Sequence, residues 1–295
     1  MAPTIASALR AAQEALAALP SSRSDAEELL GRLLGLTRAG LHLDGARVLT
    51  DAEAARFEGW LARRAAHEPV QYITGRAAFR GLDLAVGPGV LVPRPETEGL
   101  VEAVLGVLRE AGWPAPRVLD LGTGSGAVAL AVAAEWPAAM LTATDVSPAA
   151  LERARANAVT LGLADRVRFV PGRWFEAVGA DERFEVVVSN PPYIAADEWD
   201  ALPRDVRDFE PREALLAGPR GLDDLRSIAG DASAHLVPGG LLALELAETR
   251  AGEVAAWFLC SPLWSGVEVR PDLAGRPRCL LARAAGTSPG GRNRR

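Results

Sequence analysis

The sequence predicts an α/β fold, a mostly parallel sheet covered by helices, preceded by a small helical domain. Two features of the chain support this prediction. From Arg117 onward, short apolar segments of strand type alternate with segments of helical periodicity, which is typical of a parallel sheet buried between two layers of helices. Before residue 76, apolar residues recur only at helical spacing.

Residues 1–75 form the predicted helical domain. Helical spacing of apolar residues is visible in three stretches, 5–19, 26–36 and 51–66. Ser24 with Glu27 three residues later is typical of a capping box at the second helix, and Thr50 with Glu53 is typical of one at the third. Because the segment carries no catalytic constellation, we expect it to recognise a partner; a purely structural cap is the alternative.

Residues 76–95 are the predicted linker, with a hairpin at 77–86 around Gly81. Residues 96–284 form the second predicted domain, which begins with a helix at 96–110. Its predicted strands are 117–121, 140–145, 166–170, 184–190 and 241–247, with a late antiparallel pair at 266–270 and 278–283. Its other predicted helices are 127–135, 148–161, 222–236 and 249–259. The small, polar and basic tail, 285–295, is predicted to be disordered.

Composition narrows the class of protein. A hydrophobic fraction of 49% with 24% charged residues is ordinary for a globular chain. There is no apolar run long enough to span a membrane and no signal-peptide pattern at the N-terminus. Two cysteines and three scattered histidines predict a reducing, cytoplasmic compartment and no metal site. The net charge of −6 argues against a broad nucleic-acid-binding face.

A glycine turn follows the first strand of the second domain and predicts a nucleoside site. The turn is Gly122-Thr123-Gly124-Ser125-Gly126. Alternate glycines allow a sharp turn and close approach of a ligand to the backbone, at the sheet edge where ligands bind in α/β folds. Dinucleotide folds favour G-x-G-x-x-G instead, and here the third glycine comes one position early. That spacing is typical of methyltransferases that bind S-adenosylmethionine, which has no phosphate.

An acid and an aromatic residue complete the predicted cofactor site. Asp145 ends the next strand, where a carboxylate can accept hydrogen bonds from ribose hydroxyls; a helix N-cap is its other interpretation. Trp174 follows the third strand, where its ring could cover an adenine. A place in the core is the alternative for this tryptophan.

The tetrapeptide Asn190-Pro191-Pro192-Tyr193 directly follows a buried strand and predicts the catalytic site. A conjugated amino group is a poor nucleophile, so its methylation needs acceptors that hold both N–H bonds. Asn190 offers a side-chain oxygen and Pro191 a backbone carbonyl, in a segment whose prolines fix the backbone. Tyr193 can pack against a flat target group. Adenine N6, cytosine N4 and a glutamine amide all satisfy this chemistry.

Several segments together resemble the HemK/PrmC family of protein-(glutamine-N5) methyltransferases, which modify peptide chain release factors. The resemblance covers about residues 5–283. The segments are PVQYITG at 69–75, LVPRPETE at 91–98, VLDLGTGSGAVALA at 118–131, RWFEA at 173–177, VVVSNPPYI at 186–194 and FEPREAL at 209–215. LVPRPETE ahead of the glycine turn separates this family from adenine methyltransferases.

The resemblance implies a Rossmann-like class I methyltransferase fold, with a seven-stranded sheet and terminal antiparallel strands. It implies that residues 122–126, Asp145, Trp174 and Asn190 bind S-adenosylmethionine, and that residues 190–193 bind the glutamine of a Gly-Gly-Gln loop in class I release factors. The protein is expected to act as a monomer without membrane or nucleic acid. Arg94 and Glu98 are expected at the mouth of the site or the domain junction, or in a structural salt bridge.

Two positions depart from the family pattern. Relatives often have Asp where this chain has Arg173, which cannot accept a hydrogen bond from the adenine amino group. The fifth strand of relatives commonly ends Glu-x-Gly, and here it ends Glu245-Leu246-Ala247. Both departures concern the details of cofactor binding.

Other functions remain open from the sequence. A ribosomal-protein glutamine methyltransferase would share the tetrapeptide. A nucleic-acid amino methyltransferase ordinarily needs a basic groove or a target-recognition domain, and the sequence shows neither feature. A catalytically silent binding protein is disfavoured by the intact Asn190 and glycine turn, and a nicotinamide oxidoreductase by the glycine spacing.

Overall fold

The structure, a computed structural model, describes residues 2–286. Its helices are α1 (Ile5–Ala15), α2 (Ser22–Leu34), α3 (Arg38–Leu43), α4 (Asp51–Ala65), α5 (Val70–Thr74), α6 (Pro95–Ala111), α7 (Ala127–Glu135), α8 (Pro148–Thr160), α9 (Arg204–Arg207), α10 (Asp223–Asp231) and α11 (Ala251–Leu259). Its strands are β1 (Arg76–Phe79), β2 (Leu82–Ala85), β3 (Arg117–Leu121), β4 (Met140–Asp145), β5 (Val167–Pro171), β6 (Phe184–Ser189), β7 (Leu236–Glu245), β8 (Trp264–Pro271) and β9 (Pro277–Ala284).

The chain forms two compact units. The first contains the residues up to Arg76, with Val86–Pro88 and Leu202–Phe209. The second contains Ala77–Ala85, Gly89–Ala201 and the residues from Glu210 onward. The β1–β2 hairpin therefore groups with the second unit, where Phe79 and Leu84 enter the core.

The first unit has a core of its own, built from the apolar faces of α1, α2 and α4 with one residue of α3 and two of α5. At the start of α4, Thr50 and Glu53 form the predicted capping box. The prediction for Ser24 is wrong, because α2 begins two residues earlier and Ser24 lies within its first turn. The preceding Ser21 is the N-cap residue, and its hydroxyl donates to the carboxylate of Asp25 at 2.7 Å.

The predicted α/β fold is confirmed in the second unit. Strands β3 to β9 form a seven-stranded sheet in the order β5-β4-β3-β6-β7-β9-β8. Strands β3 to β7 are parallel, and β9 pairs antiparallel with both β7 and β8. The chain builds outward from β3 on one side and from β6 on the other. Ligands bind at the carboxyl ends of the strands beside such a reversal.

Side chains on the two faces of this sheet form separate cores. Val118 and Val186 pack with the helices α6, α7 and α8, whereas their neighbours Leu119 and Val187 pack with α10 and α11. This follows from the alternation of side chains along a strand. Residues 127–133 of α7 are all buried, as expected for a helix that is apolar all round.

The element boundaries differ from the prediction mainly at α10 and β7. The predicted helix 222–236 ends at Asp231 and continues only as a short 3-10 turn. Strand β7 starts at Leu236, which pairs with Phe184 before a register shift. Residues 287–295, most of the tail predicted to be disordered, lie outside the described residues. Between residues 2 and 286, every helix is too short or too polar to cross a bilayer.

Candidate active site

The glycine turn leaves the end of β3 with positive φ angles of 72°, 57° and 85° at Gly122, Gly124 and Gly126. L side chains rarely adopt these angles, so glycine is required for the conformation. The amide of Gly122 donates to the carbonyl of Thr144 at 2.9 Å, which ties the turn to β4. The ring of Trp174 lies 3.2 Å from the point where a Cβ on Gly122 would stand. A side chain at 122 would therefore displace the tryptophan.

Asp120, near the end of β3, is hydrogen-bonded to the turn and to the helix that follows it. Its carboxylate is 1% exposed and accepts hydrogen bonds from the Thr123 hydroxyl at 2.6 Å and the Ala129 amide at 3.2 Å. Burial raises the pKa of Asp120 to about 7. Asp120 was not among the predicted site residues, although an acid in an otherwise apolar strand was a visible signal.

Asp145, at the end of β4, lies across from the turn. One carboxylate oxygen accepts from the Gly124 amide at 2.9 Å and the other from the Ser147 amide at 2.8 Å. Burial raises the pKa of this carboxyl, against the opposing effect of the backbone hydrogen bonds. Ser147, not Asp145, is the N-cap residue of α8. The helix-cap interpretation of Asp145 is therefore wrong.

Trp174 has a left-handed backbone, with φ of 46°, and is half-buried. Its indole Nε1 donates to Asp224 Oδ1 at 3.2 Å, and Arg173 donates to the same oxygen at 2.6 Å. Asp224 is 5% exposed and belongs to the first turn of α10. The chain thus brings a carboxylate to the tryptophan from another element, beside the arginine that departs from the family pattern.

The tetrapeptide begins where β6 ends, beside the turn. Asn190 donates from its side-chain Nδ2 to the Thr97 hydroxyl at 3.0 Å. Tyr193 donates from its hydroxyl to Glu245 Oε1 at 3.2 Å. Burial, together with the charge of Glu245, raises the pKa of the Tyr193 phenol, which therefore stays neutral. Thr97 and Glu245 are contacts that no sequence spacing suggested.

The backbone after the tetrapeptide is held by the segment 215–221. Ile194 donates its amide to the Leu215 carbonyl at 2.9 Å, and its own carbonyl accepts from the Ala217 amide at 3.0 Å. Gly221, with φ of 68°, approaches so closely that a Cβ there would lie 2.4 Å from the Tyr193 carbonyl oxygen. A glycine is needed at 221 for this contact.

One cavity of about 230 Å³ in the second unit is lined by six of the predicted site residues. They are Gly122, Gly124, Asp145, Trp174, Asn190 and Pro192. Five others do not line the cavity: Thr123, Ser125, Gly126, Pro191 and Tyr193. Further wall residues, which were not predicted as site residues, include Gly89 and Asp224. Leu91 of LVPRPETE, with Pro211 and Glu213 of FEPREAL, also line the cavity.

The LVPRPETE segment is attached to several elements of this unit. Arg94 forms a salt bridge to Glu210 at 2.6 Å, and the Val92 amide donates to the same carboxylate at 3.1 Å. Glu98 accepts from the Arg80 amide of the β1–β2 turn at 3.1 Å. Neither Arg94 nor Glu98 lines the cavity. Of the expected alternatives, the salt bridge is the one the structure shows for Arg94.

Solved structures whose fold resembles that of this chain include methyltransferases. A methyltransferase from Pyrococcus furiosus aligns with a TM-score of 0.51 at 20% identity, covering 80% of this chain and all of the other. The hMettl16 catalytic domain aligns with a TM-score of 0.55 at 17% identity, covering 81% and 84%. The sequence matches the model of the methyltransferase small domain over residues 101–202. The protein therefore has the Rossmann-like class I methyltransferase fold.

The particular family follows from closer relatives. The release factor glutamine methyltransferase of Cereibacter sphaeroides is 46% identical over 94% of this chain and 98% of its own length. The corresponding protein of Deinococcus radiodurans is 44% identical, over 92% and 94%. The PrmC N-terminal domain matches residues 7–75. The chain belongs to the release factor glutamine methyltransferase family.

Proposed function

We propose that the protein transfers a methyl group from S-adenosylmethionine to the side-chain amide nitrogen (N5) of the glutamine in the Gly-Gly-Gln motif of peptide chain release factors. The observation that carries the proposal is that Asn190 lines the same cavity as Asp145 and the glycines of the turn at 122 and 124. Membership of the release factor glutamine methyltransferase family supports the choice of acceptor.

The cavity fits the nucleoside end of the cofactor. Gly122 and Gly124 line it with bare backbone, and the half-buried Asp145 carboxylate lines it beside them. The Asp145 oxygens accept backbone hydrogen bonds from Gly124 and Ser147, and a carboxylate has further lone pairs to offer. These lone pairs would accept the ribose hydroxyls. Trp174 would bound the adenine. S-adenosylmethionine supplies an activated methyl group on a sulfonium.

The tetrapeptide would hold the acceptor amide. Asn190 uses its amino end for Thr97, so its carbonyl oxygen is available to accept one N–H of the acceptor. The backbone carbonyl of Pro191 would accept the other, from a segment in which two prolines restrict the backbone. Positioning of this kind contributes up to about 7–11 kcal/mol in favourable cases. Tyr193, which does not line the cofactor cavity, would pack against the acceptor and, being neutral, would take no proton.

A release factor as partner implies a cytoplasmic site of action, because release factors act in translation. We assign partner recognition to the helical domain, residues 1–75, and the chemistry to residues 96–284. Action as a monomer, without nucleic acid or membrane, completes the proposal.

The test is methyl transfer from labelled S-adenosylmethionine to a panel of release factors, ribosomal proteins, DNA and RNA. Label is expected in release factors and is expected to disappear when the glutamine of Gly-Gly-Gln is replaced by alanine. The Asn190→Ala enzyme is the negative control. Label in ribosomal protein or nucleic acid, with none in release factors, would overturn the assignment.

A further inference from the structure

A buried carboxylate, Glu245, joins the two ends of the tetrapeptide. It lies at the end of β7 and is 0% exposed. Its Oε2 accepts from the Thr97 hydroxyl at 2.6 Å, and its Oε1 accepts from the Tyr193 hydroxyl at 3.2 Å. Thr97, itself 4% exposed, is also the acceptor for Asn190. One carboxylate thus contacts Tyr193 directly and Asn190 through Thr97.

The direction of these hydrogen bonds follows from the number of protons available. A threonine hydroxyl has one proton to donate, and the short contact to a carboxylate takes it. Towards Asn190, Thr97 can then only accept. The side-chain amide of Asn190 must turn its NH₂ group to Thr97, which identifies the nitrogen from the network. Its carbonyl oxygen is left for the cavity that Asn190 lines.

We propose that Thr97 and Glu245 are positioning residues, which set the orientation of the Asn190 amide so that its oxygen accepts the N–H of the acceptor. The inference rests on the proposed role of Asn190 in amide methylation. It gives a function to Thr97 of the LVPRPETE segment and to Glu245 of the departing Glu-Leu-Ala segment. The two lie 148 residues apart in the chain.

The charge of Glu245 is part of this arrangement. Burial raises the pKa of Glu245 above its ordinary value, and the hydrogen bond from Thr97 and the positive charge of Arg278 offset only part of this rise. A protonated Glu245 could donate to Thr97 instead of accepting. The Thr97 proton would then face Asn190 and favour the reversed amide, with NH₂ towards the cavity.

The kinetic test compares two variants of one residue. Thr97→Val keeps the size of the side chain and removes the hydroxyl, and we expect kcat to fall about 100-fold from loss of positioning. Cofactor affinity should stay within several-fold of wild type. Thr97→Ser restores the hydroxyl and should recover most of kcat. Thr142→Val is a matched control, a buried threonine on β4. Wild-type kcat in Thr97→Val, or equal losses in Val and Ser, would overturn the proposal.

A spectroscopic test does not depend on the acceptor. The chain has three asparagines, Asn157, Asn190 and Asn293, so ¹⁵N-asparagine labelling gives a simple spectrum of side-chain NH₂ groups. Thr97→Val should shift the Asn190 pair and leave the Asn157 pair, which donates to Ala85 and Ser125, in place. If the NH₂ signals of Asn190 do not shift, the proposal that Thr97 orients the Asn190 amide is refuted. A shifted pair in an enzyme that leaves release factors unlabelled would refute only the proposed acceptor.

Discussion

Arg94 and Glu210 form an ion pair of 2.6 Å between residues 116 positions apart in the chain. The Glu210 side chain is 1% exposed and the Arg94 side chain 29%. The pair connects LVPRPETE, which contains Thr97, with FEPREAL, whose Pro211, Glu213 and Ala214 line the cavity. Two segments that were recognised separately in the sequence are therefore in direct contact in the folded protein.

Replacement of Arg94 by methionine should destabilise the protein. The variant keeps much of the side-chain stem but removes the positive charge from a buried carboxylate, a change that costs about 3–5 kcal/mol in buried pairs. The partial exposure of Arg94 places the expected value at the lower end. Urea unfolding measures it. Arg94→Met combined with Glu210→Gln should be more stable than Arg94→Met alone, and an equal or lower stability would contradict the electrostatic explanation.

Asn190→Ala should abolish methyl transfer and leave cofactor binding within several-fold of wild type. The substitution removes the carbonyl oxygen proposed to hold the acceptor, while the glycine turn and Asp145 stay in place. Single-turnover transfer measures the first effect and calorimetry with S-adenosylhomocysteine the second. Retained turnover would show that the tetrapeptide is not the catalytic site.

Asp145→Ala should weaken cofactor affinity by about 100-fold, or roughly 2.7 kcal/mol. It removes the proposed ribose acceptor and the hydrogen bonds from Gly124 and Ser147. Asp145→Asn keeps one acceptor oxygen and should lose less. Calorimetry with S-adenosylhomocysteine measures the dissociation constant of each variant. Unchanged affinity in Asp145→Ala would remove the ribose role.

The buried Asp120 should make stability depend on pH. Its pKa of about 7 in the folded protein lies above the ordinary value of 3.8, so between these values the folded state binds more protons than the unfolded state. Stability should therefore fall as pH rises from about 4 to 7, by at most about 1.4 kcal/mol per pH unit for this group.

Asp120→Asn tests this dependence, because an amide does not titrate and can still accept from Thr123. Burial also raises the pKa values of Asp145 and Glu245, so the informative quantity is the difference between wild type and variant. Urea unfolding at pH 5 and pH 8 should show a smaller loss of stability in the variant. The same loss in both proteins would assign the pH dependence to other groups.

The strands that the sequence located best are β3 and β4, whose predicted and observed bounds agree. Each is an apolar run with a marked end. A glycine follows β3, and an exposed loop follows β4. Helices α3 and α5 were missed because six and five residues are too few to show helical periodicity. Buried Val70 and Ile73 connect α5 to the core of its unit, and this tertiary packing is not visible in local spacing.

The same limit applies to the site. The glycine turn, Asp145 and Asn190 each occur at the end of a strand, so sequence position alone could bring them together. Thr97 lies 93 residues from Asn190, and Asp224 lies 50 from Trp174. No periodicity connects such pairs. Their identification requires the packing of α6 and α10 against the sheet.

The hydrogen-bond directions at Thr97 also restrict evolution and engineering at position 190. The side chain there must present a donor to the Thr97 hydroxyl and an acceptor to the cavity. It must also place both groups one methylene away from the backbone. Aspartate lacks the donor, serine is too short to span both sides, and glutamine is one carbon too long. Asparagine meets all three conditions, with its donor and its acceptor on one planar amide. A designer who wants another residue at 190 must first change position 97.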